Sequence, residues 1–173
     1  MLVTELETYI KTQHEGFLIE IASLDKSLVH TTKEDKWSAV EIIDHVTLVE
    51  LQVNTELGKS SARNNGNRKK TIIDFDVDIV LSNLDYEVII KVDAFPNSEP
   101  DNRISLDAAL ARFAEVRKTT LANLENGKYI NMKPFSFPHQ VFGNLNFYNW
   151  LYFLGKHEEM HLEQLKRNIK ALM

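Results

Sequence analysis

A chain of 173 residues, 43% apolar and 26% charged, has the makeup of a soluble globular protein, and its length fits one domain over residues 1–173. A formal net charge of −5 argues against nucleic acid or an anionic membrane as partner. The absence of cysteine excludes disulfides, thiolate metal sites and a cysteine nucleophile, and fits a cytoplasmic protein. The first residues lack a basic segment followed by an apolar run, so no signal peptide is expected. No uncharged apolar stretch approaches the roughly 18 residues that a membrane span needs.

Residues 3–25 have helical periodicity. Leu6, Ile10, Phe17, Ile21 and Leu24 fall on one face, with Glu5, Glu7, Lys11 and Glu20 on the other. His14 lies near the apolar face and reads as a core or boundary histidine, while His30, in a polar connection, reads as solvated. Ser38 followed three residues later by Glu41 is the spacing of a capping box, with Trp37 placed to pack back on Ile42. A second helix then carries Ile42, His45, Val46, Val49 and Val53 on one stripe, and Gly58 marks its expected end.

Residues 59–104 have no clean period. The basic run Arg68, Lys69 and Lys70 reads as a solvated loop, followed by a possible short helix around 79–84 or extended pieces around 88–92. A connection this long is expected to be partly ordered and to pack against the helices. The third helix starts at the Ser105 cap. Leu106, Leu110, Phe113, Val116, Leu121 and Leu124 form its core face, and Arg112, Glu115, Arg117 and Lys118 are assigned to water. Gly127 is the expected stop, and residues 128–145 read as an aromatic-rich loop containing His139, a minor site candidate. Asn146 caps a fourth helix whose stripe runs through Phe147, Trp150, Leu151, Leu154, Leu165 and Ile169. Four amphipathic helices in one domain predict a four-helix bundle.

In the gap between Leu154 and Leu165 the last stripe carries His157 and His161. Imidazoles four apart on a helix lie one above the other and reach one metal ion, and His45 on a facing stripe is the candidate third ligand. Three neutral imidazoles leave coordination positions open, as catalytic sites do. Zinc, nickel and iron all suit such a set. The segment His157-Glu158-Glu159-Met160-His161 also matches the His-Glu-x-x-His pattern of zinc proteases. No edge strand to hold a peptide and no downstream third ligand accompany it. Glu158, about 100° round the helix from His157, is assigned to solvent in preference to an acid–base role. Gln164, one turn after His161, is either a second support for that imidazole or a satisfied core amide.

Trp37-Ser38-Ala39-Val40-Glu41-Ile42-Ile43-Asp44-His45 resembles the Trp-Ser-x-x-Glu-Ile-x-x-His signature of the DinB-like (damage-inducible protein) superfamily. Phe142-Gly143 leading into a helix with His157, His161 and Gln164 resembles the C-terminal signature of the same family. The resemblance implies an up-down-down-up four-helix bundle, and a divalent metal held by His45, His157 and His161. It implies a homodimer, and a metal-dependent transferase joining a low-molecular-weight thiol to a small electrophile, or a related hydrolase or isomerase. Many members have no known activity, so a metal-binding or structural bundle protein without catalysis is the alternative. Members often carry a histidine directly before the last ligand, where this chain has Met160.

Overall fold

The computed structural model describes residues 1–33, 36–63, 74–78, 97–129 and 132–173. The basic run at 68–70 and the expected elements at 79–84 and 88–92 lie outside them. Four long helices appear among the described residues: α1 (Val3–Ser23), α2 (Ala39–Arg63), α3 (Leu106–Tyr129) and α4 (Phe147–Leu172). The chain reading of 128–145 as loop needs correcting, since it contains an antiparallel hairpin of β1 (Ser136–His139) and β2 (Gly143–Asn146).

The start signals form as their chemistry requires. The Ser38 amide donates to Glu41 Oε2 at 2.8 Å and the Glu41 amide to Ser38 Oγ at 3.3 Å, so each side chain satisfies an amide that helix geometry leaves unpaired. Ser105 Oγ accepts from Ala108 N at 3.3 Å, and Asn146 Oδ1 accepts from Asn149 N at 2.9 Å. The two glycine stops do not form. α2 runs past Gly58 to Arg63, and α3 runs past Gly127 to Tyr129. Gly127 serves packing instead. A Cβ there would lie 2.7 Å from the Phe147 ring, and its carbonyl accepts from the Tyr148 hydroxyl at 2.6 Å.

Helix directions follow from which halves share a core. One apolar cluster joins Leu6 and Ile10 of α1, Val53 and Leu57 of α2, Leu124 of α3 and Tyr148 to Leu154 of α4. The other joins Phe17 and Ile21 of α1, Ile42 and Val46 of α2, Phe113 of α3 and Leu165 of α4. The first halves of α1 and α4 therefore meet the second halves of α2 and α3, which is up-down-down-up order. α2 and α3 run parallel, so the connection between them must return the length of the bundle. α1 packs chiefly on α4, α2 on α3, and α2 on α4.

Part of that connection is fastened to the first cluster. Phe75 is buried and stacks on Tyr148 with ring centroids 5.5 Å apart, and its backbone exchanges hydrogen bonds with Met1. The Asn149 side chain accepts from Asp78 N at 2.9 Å and donates to Asp76 O at 3.1 Å, treating residues 76–78 as a strand treats its neighbour.

α1 and α4 approach closely at Gly155, where an added Cβ would lie 2.5 Å from Tyr9 Cε1. Tyr9 cannot swing away freely, because its hydroxyl donates to Glu159 at 3.0 Å. Gly155→Ala gains up to about 1 kcal/mol of helix propensity and loses roughly 1–3 kcal/mol to overpacking. Net destabilisation is expected in urea unfolding, and the loss should shrink in a Tyr9→Leu background. Equal losses in both backgrounds would exclude the Tyr9 contact as the cause.

Candidate metal centre

His45 is on α2, and His157 and His161 are on α4, all buried. The structure brings the three together, with one nitrogen from each lying within 4.8 Å of the others. Nε2 of His161 and Nε2 of His157 are 3.1 Å apart. Two imidazole nitrogens on one tetrahedral ion, each about 2.0–2.1 Å from it, are separated by about 3.4 Å, so the pair is already near that spacing.

The outer nitrogens show which atoms are available. His45 Nδ1 lies 2.8 Å from the Ser98 carbonyl, which can only accept, so Nδ1 carries the proton and Nε2 the lone pair. His161 Nδ1 donates in the same way to Gln164 Oε1 at 2.6 Å. Gln164 thus contacts the histidine one turn before it. The partner of His45 had no signal in the sequence, because Ser98 belongs to a segment without period. Its placement depends on α2 and α3 together. Asp44 is buried, accepts from Asp101 N at 3.0 Å and receives Arg112 Nη1 at 3.0 Å, which fastens the chain after Ser98 to the bundle. Asn97 takes a left-handed φ of 66°, a conformation that asparagine tolerates better than most residues, at the bend before Ser98.

Burial sets the charge state. Desolvation lowers the pKa of His45, and for His161 desolvation together with the nearby His45 lowers it to about 3. His157 is pushed well below the usual imidazole range by desolvation and by its histidine neighbours. All three are neutral at pH 7, the state a metal ligand needs. The donor set, its protonation and its spacing fit a divalent ion.

Trp37 stands over this cluster, its ring 4.6 Å from that of His45 and 6.1 Å from that of His161. It is both a partly buried member of the second core cluster and a wall of the site. His139 lies at the end of β1, against Phe153 and Trp150 at 4.6 and 5.2 Å. Its Nδ1 accepts from Val141 N at 3.0 Å, which commits that nitrogen to the hairpin turn. His139 is not among the three clustered histidines. His30 is exposed, as expected.

Glu158 is the principal correction. It is fully buried rather than solvated. Its Oε1 lies 3.1 Å from His14 Nδ1, and its Oε2 receives Arg117 Nη2 at 2.7 Å. Arg117, assigned to water from sequence, is buried too, and it also pairs with Glu50 at 3.0 Å. Glu50 accepts from the Thr120 hydroxyl, to which Asn54 donates at 2.8 Å. His14 from α1, Glu50 and Asn54 from α2, Arg117 and Thr120 from α3 and Glu158 from α4 form one polar layer between the two apolar clusters. Desolvation raises the Glu50 pKa, and Arg117 opposes that rise. The protease-like pattern therefore differs from a protease site in its geometry. The glutamate that would serve as base has both oxygens engaged by His14 and Arg117.

No helix among the described residues is long and apolar enough to cross a membrane. The sequence model of the DinB superfamily matches residues 10–165. Among solved structures, that of TT2238, described as a four-helix bundle protein, superposes with a TM-score of 0.64 at 20% identity, covering 95% of this chain and 98% of that one. A search of curated proteins gives no match. With the family model spanning most of the chain, including all three clustered histidines, the protein belongs to the DinB superfamily.

Proposed function

We propose that His45, His157 and His161 bind one divalent metal ion, and that the protein uses it to join a thiol, or add water, to a small electrophile. The observation that carries this reading is the buried cluster itself, three neutral imidazoles whose ligand atoms lie within 4.8 Å of one another. When bound there, a divalent ion supplies Lewis acidity and lowers the pKa of a coordinated thiol or water. The Ser98 carbonyl and Gln164 hold two of the rings in the tautomer that leaves Nε2 as ligand. Trp37 and the apolar surroundings keep bulk water from the reacting atoms. In the thiol reaction the thiol gives its proton to solvent, its sulfur forms a bond to the electrophilic carbon, and the leaving group departs with the pair of the bond that breaks. Zinc, nickel and iron are the candidate ions, and we place the protein in the cytoplasm as a single-domain homodimer on its resemblance to the family.

A second reading, metal binding without turnover, is favoured by one observation. Glu158 and Asp44, the carboxylates next in sequence to the ligands, are committed elsewhere, Glu158 to Arg117 and His14 and Asp44 to Arg112 and the Asp101 amide. Elemental analysis of purified protein separates the outcomes. About one ion per chain is expected in the wild type, with its loss in His157→Ala and His45→Ala. Unchanged metal content in both variants would end the ligand assignment. Conjugation of a low-molecular-weight thiol to an arylmethyl halide, abolished by chelation and restored by the ion, supports the enzyme. Metal binding with no turnover supports the second reading.

A further inference from the structure

A cavity of about 160 Å³ opens between α2 and the hairpin. Its walls are Val49, Val53, Phe137, Pro138 and Trp150, with the half-buried Gln52 and Glu56 supplying a polar and acidic edge. It lies on the same helix faces as the histidine cluster. Val49 is one turn from His45 on α2, and Trp150 is two turns from His157 on α4, about 6 and 10 Å along the helix axes. Phe153 joins the two regions, its ring 5.5 Å from Trp150 and 5.4 Å from His157.

Volume and wall chemistry select the occupant. An apolar protein cavity of about 150 Å³ accommodates benzene, so this one has room for a single six-membered ring. Phe137 and Trp150 line it as a stacked pair, their rings 4.3 Å apart with 10° between planes, so part of the wall is aromatic. The Trp150 indole N–H is held by the Phe137 carbonyl at 3.1 Å, which fixes that surface in orientation. Aromatic rings in the wall favour an aromatic guest over an alkyl chain of equal volume. Pockets for larger ligands usually start at about 300 Å³, so the rest of such a molecule must lie outside, toward the histidines or the solvent.

We propose that this cavity binds a single aromatic ring, and that the electrophile handled at the histidine cluster is an aryl or arylmethyl compound whose ring sits there. The second half of this statement rests on the metal reading above, and the first half does not.

The chain has two tryptophans, so Trp37→Phe leaves Trp150 as the sole indole reporter, in the cavity wall. The probe is 4-nitrobenzyl alcohol, a single-ring quencher, titrated into this variant, with zinc binding followed in parallel in proteins that keep Trp37. Saturable quenching is expected, displaced by benzyl alcohol and at least tenfold less well by hexanol. Val53→Phe, which fills the cavity, and Gln52→Phe, which closes its edge with less risk to the core, should each weaken probe binding at least tenfold while zinc binding persists. Linear, unsaturable quenching that is the same in all variants overturns the assignment, as does equal displacement by hexanol. Saturable ring binding in a protein that takes up no zinc sinks the metal reading while upholding the cavity. Zinc binding without saturable quenching does the reverse.

Discussion

Replacing Arg117 with methionine is expected to cost roughly 3–5 kcal/mol, because it leaves two buried carboxylates without their shared cation. Both Glu50 and Glu158 are within 3.0 Å of this guanidinium, and all three side chains are almost inaccessible to water. The expected loss is not the worth of the ion pairs. Breaking a pair strands a charge, whereas replacing all members by neutral groups of similar shape removes the problem, so Glu50→Gln, Arg117→Met and Glu158→Gln combined should recover most of the loss. The defect also has a predicted pH dependence. Glu50 already has a raised pKa from burial, and Arg117 is the largest influence holding it down. A carboxyl whose folded pKa is raised contributes stability below its ordinary value of 4.5, and that contribution is lost as pH rises through the folded pKa. Losing Arg117 widens that window upward, so the difference between variant and wild type should grow from pH 5 to pH 8. Denaturant midpoints at the two pH values check this. A loss below 1 kcal/mol, or one independent of pH, would show that the layer is solvated.

The metal-free protein is expected to lose stability steeply on mild acidification. His161 has its pKa lowered to about 3 and His139 to about 4, with His157 and His45 lowered as well, all chiefly by desolvation. The folded state therefore binds fewer protons than the unfolded one below the ordinary value of 6.5. Stability falls as pH drops from there toward the folded values, and each such imidazole steepens the slope by up to about 1.4 kcal/mol per pH unit. Thermal unfolding between pH 7 and pH 4 should show the drop, and His157→Phe, which has no proton to take up, should flatten it. Added zinc should raise the midpoint at pH 7 and lose that effect near pH 4, where protons compete for the ligand nitrogens. A slope unchanged in His157→Phe would mean that this ring is not held neutral by burial.

Both predictions rest on side chains that the sequence presents very differently. The histidines were legible because they occupy an apolar stripe, where an imidazole is conspicuous, and because four-residue spacing on one helix has a direct geometric meaning. The caps at Ser38, Ser105 and Asn146 were legible for a similar reason, each being local chemistry at a fixed offset. Arg117 and Glu158 were not, since a charged residue beside an apolar stripe is ordinarily solvated. Their burial depends on partners 41 residues apart in sequence, and no local pattern encodes that. α4 compounds the difficulty, because α1, α2 and the hairpin leave it little free face from Phe147 to Leu154. The hairpin escaped notice because four-residue strands containing Pro138 are too short to show alternation. Glycine near a helix end ordinarily marks a stop, but Gly58 and Gly127 lie inside their helices, and at Gly127 the missing side chain permits close approach of an aromatic ring.

The helix order has a consequence for synthesis. α4 is made after the other three helices, yet it supplies two of the three clustered histidines, the carboxylate of Glu158, and the partner for most of α1. On the ribosome, α2 and α3 can pair as soon as both have emerged, but α1 must wait for a helix more than 120 residues downstream. Contacts that distant in the chain are slow to form. Until they do, the valine and isoleucine faces of α1 and α2 stay open, a state in which nascent chains associate with each other or with chaperones. The arrival of α4 thus closes the core, completes the charge layer and assembles the histidine cluster in a single event, so a partly made chain lacks the three-imidazole cluster.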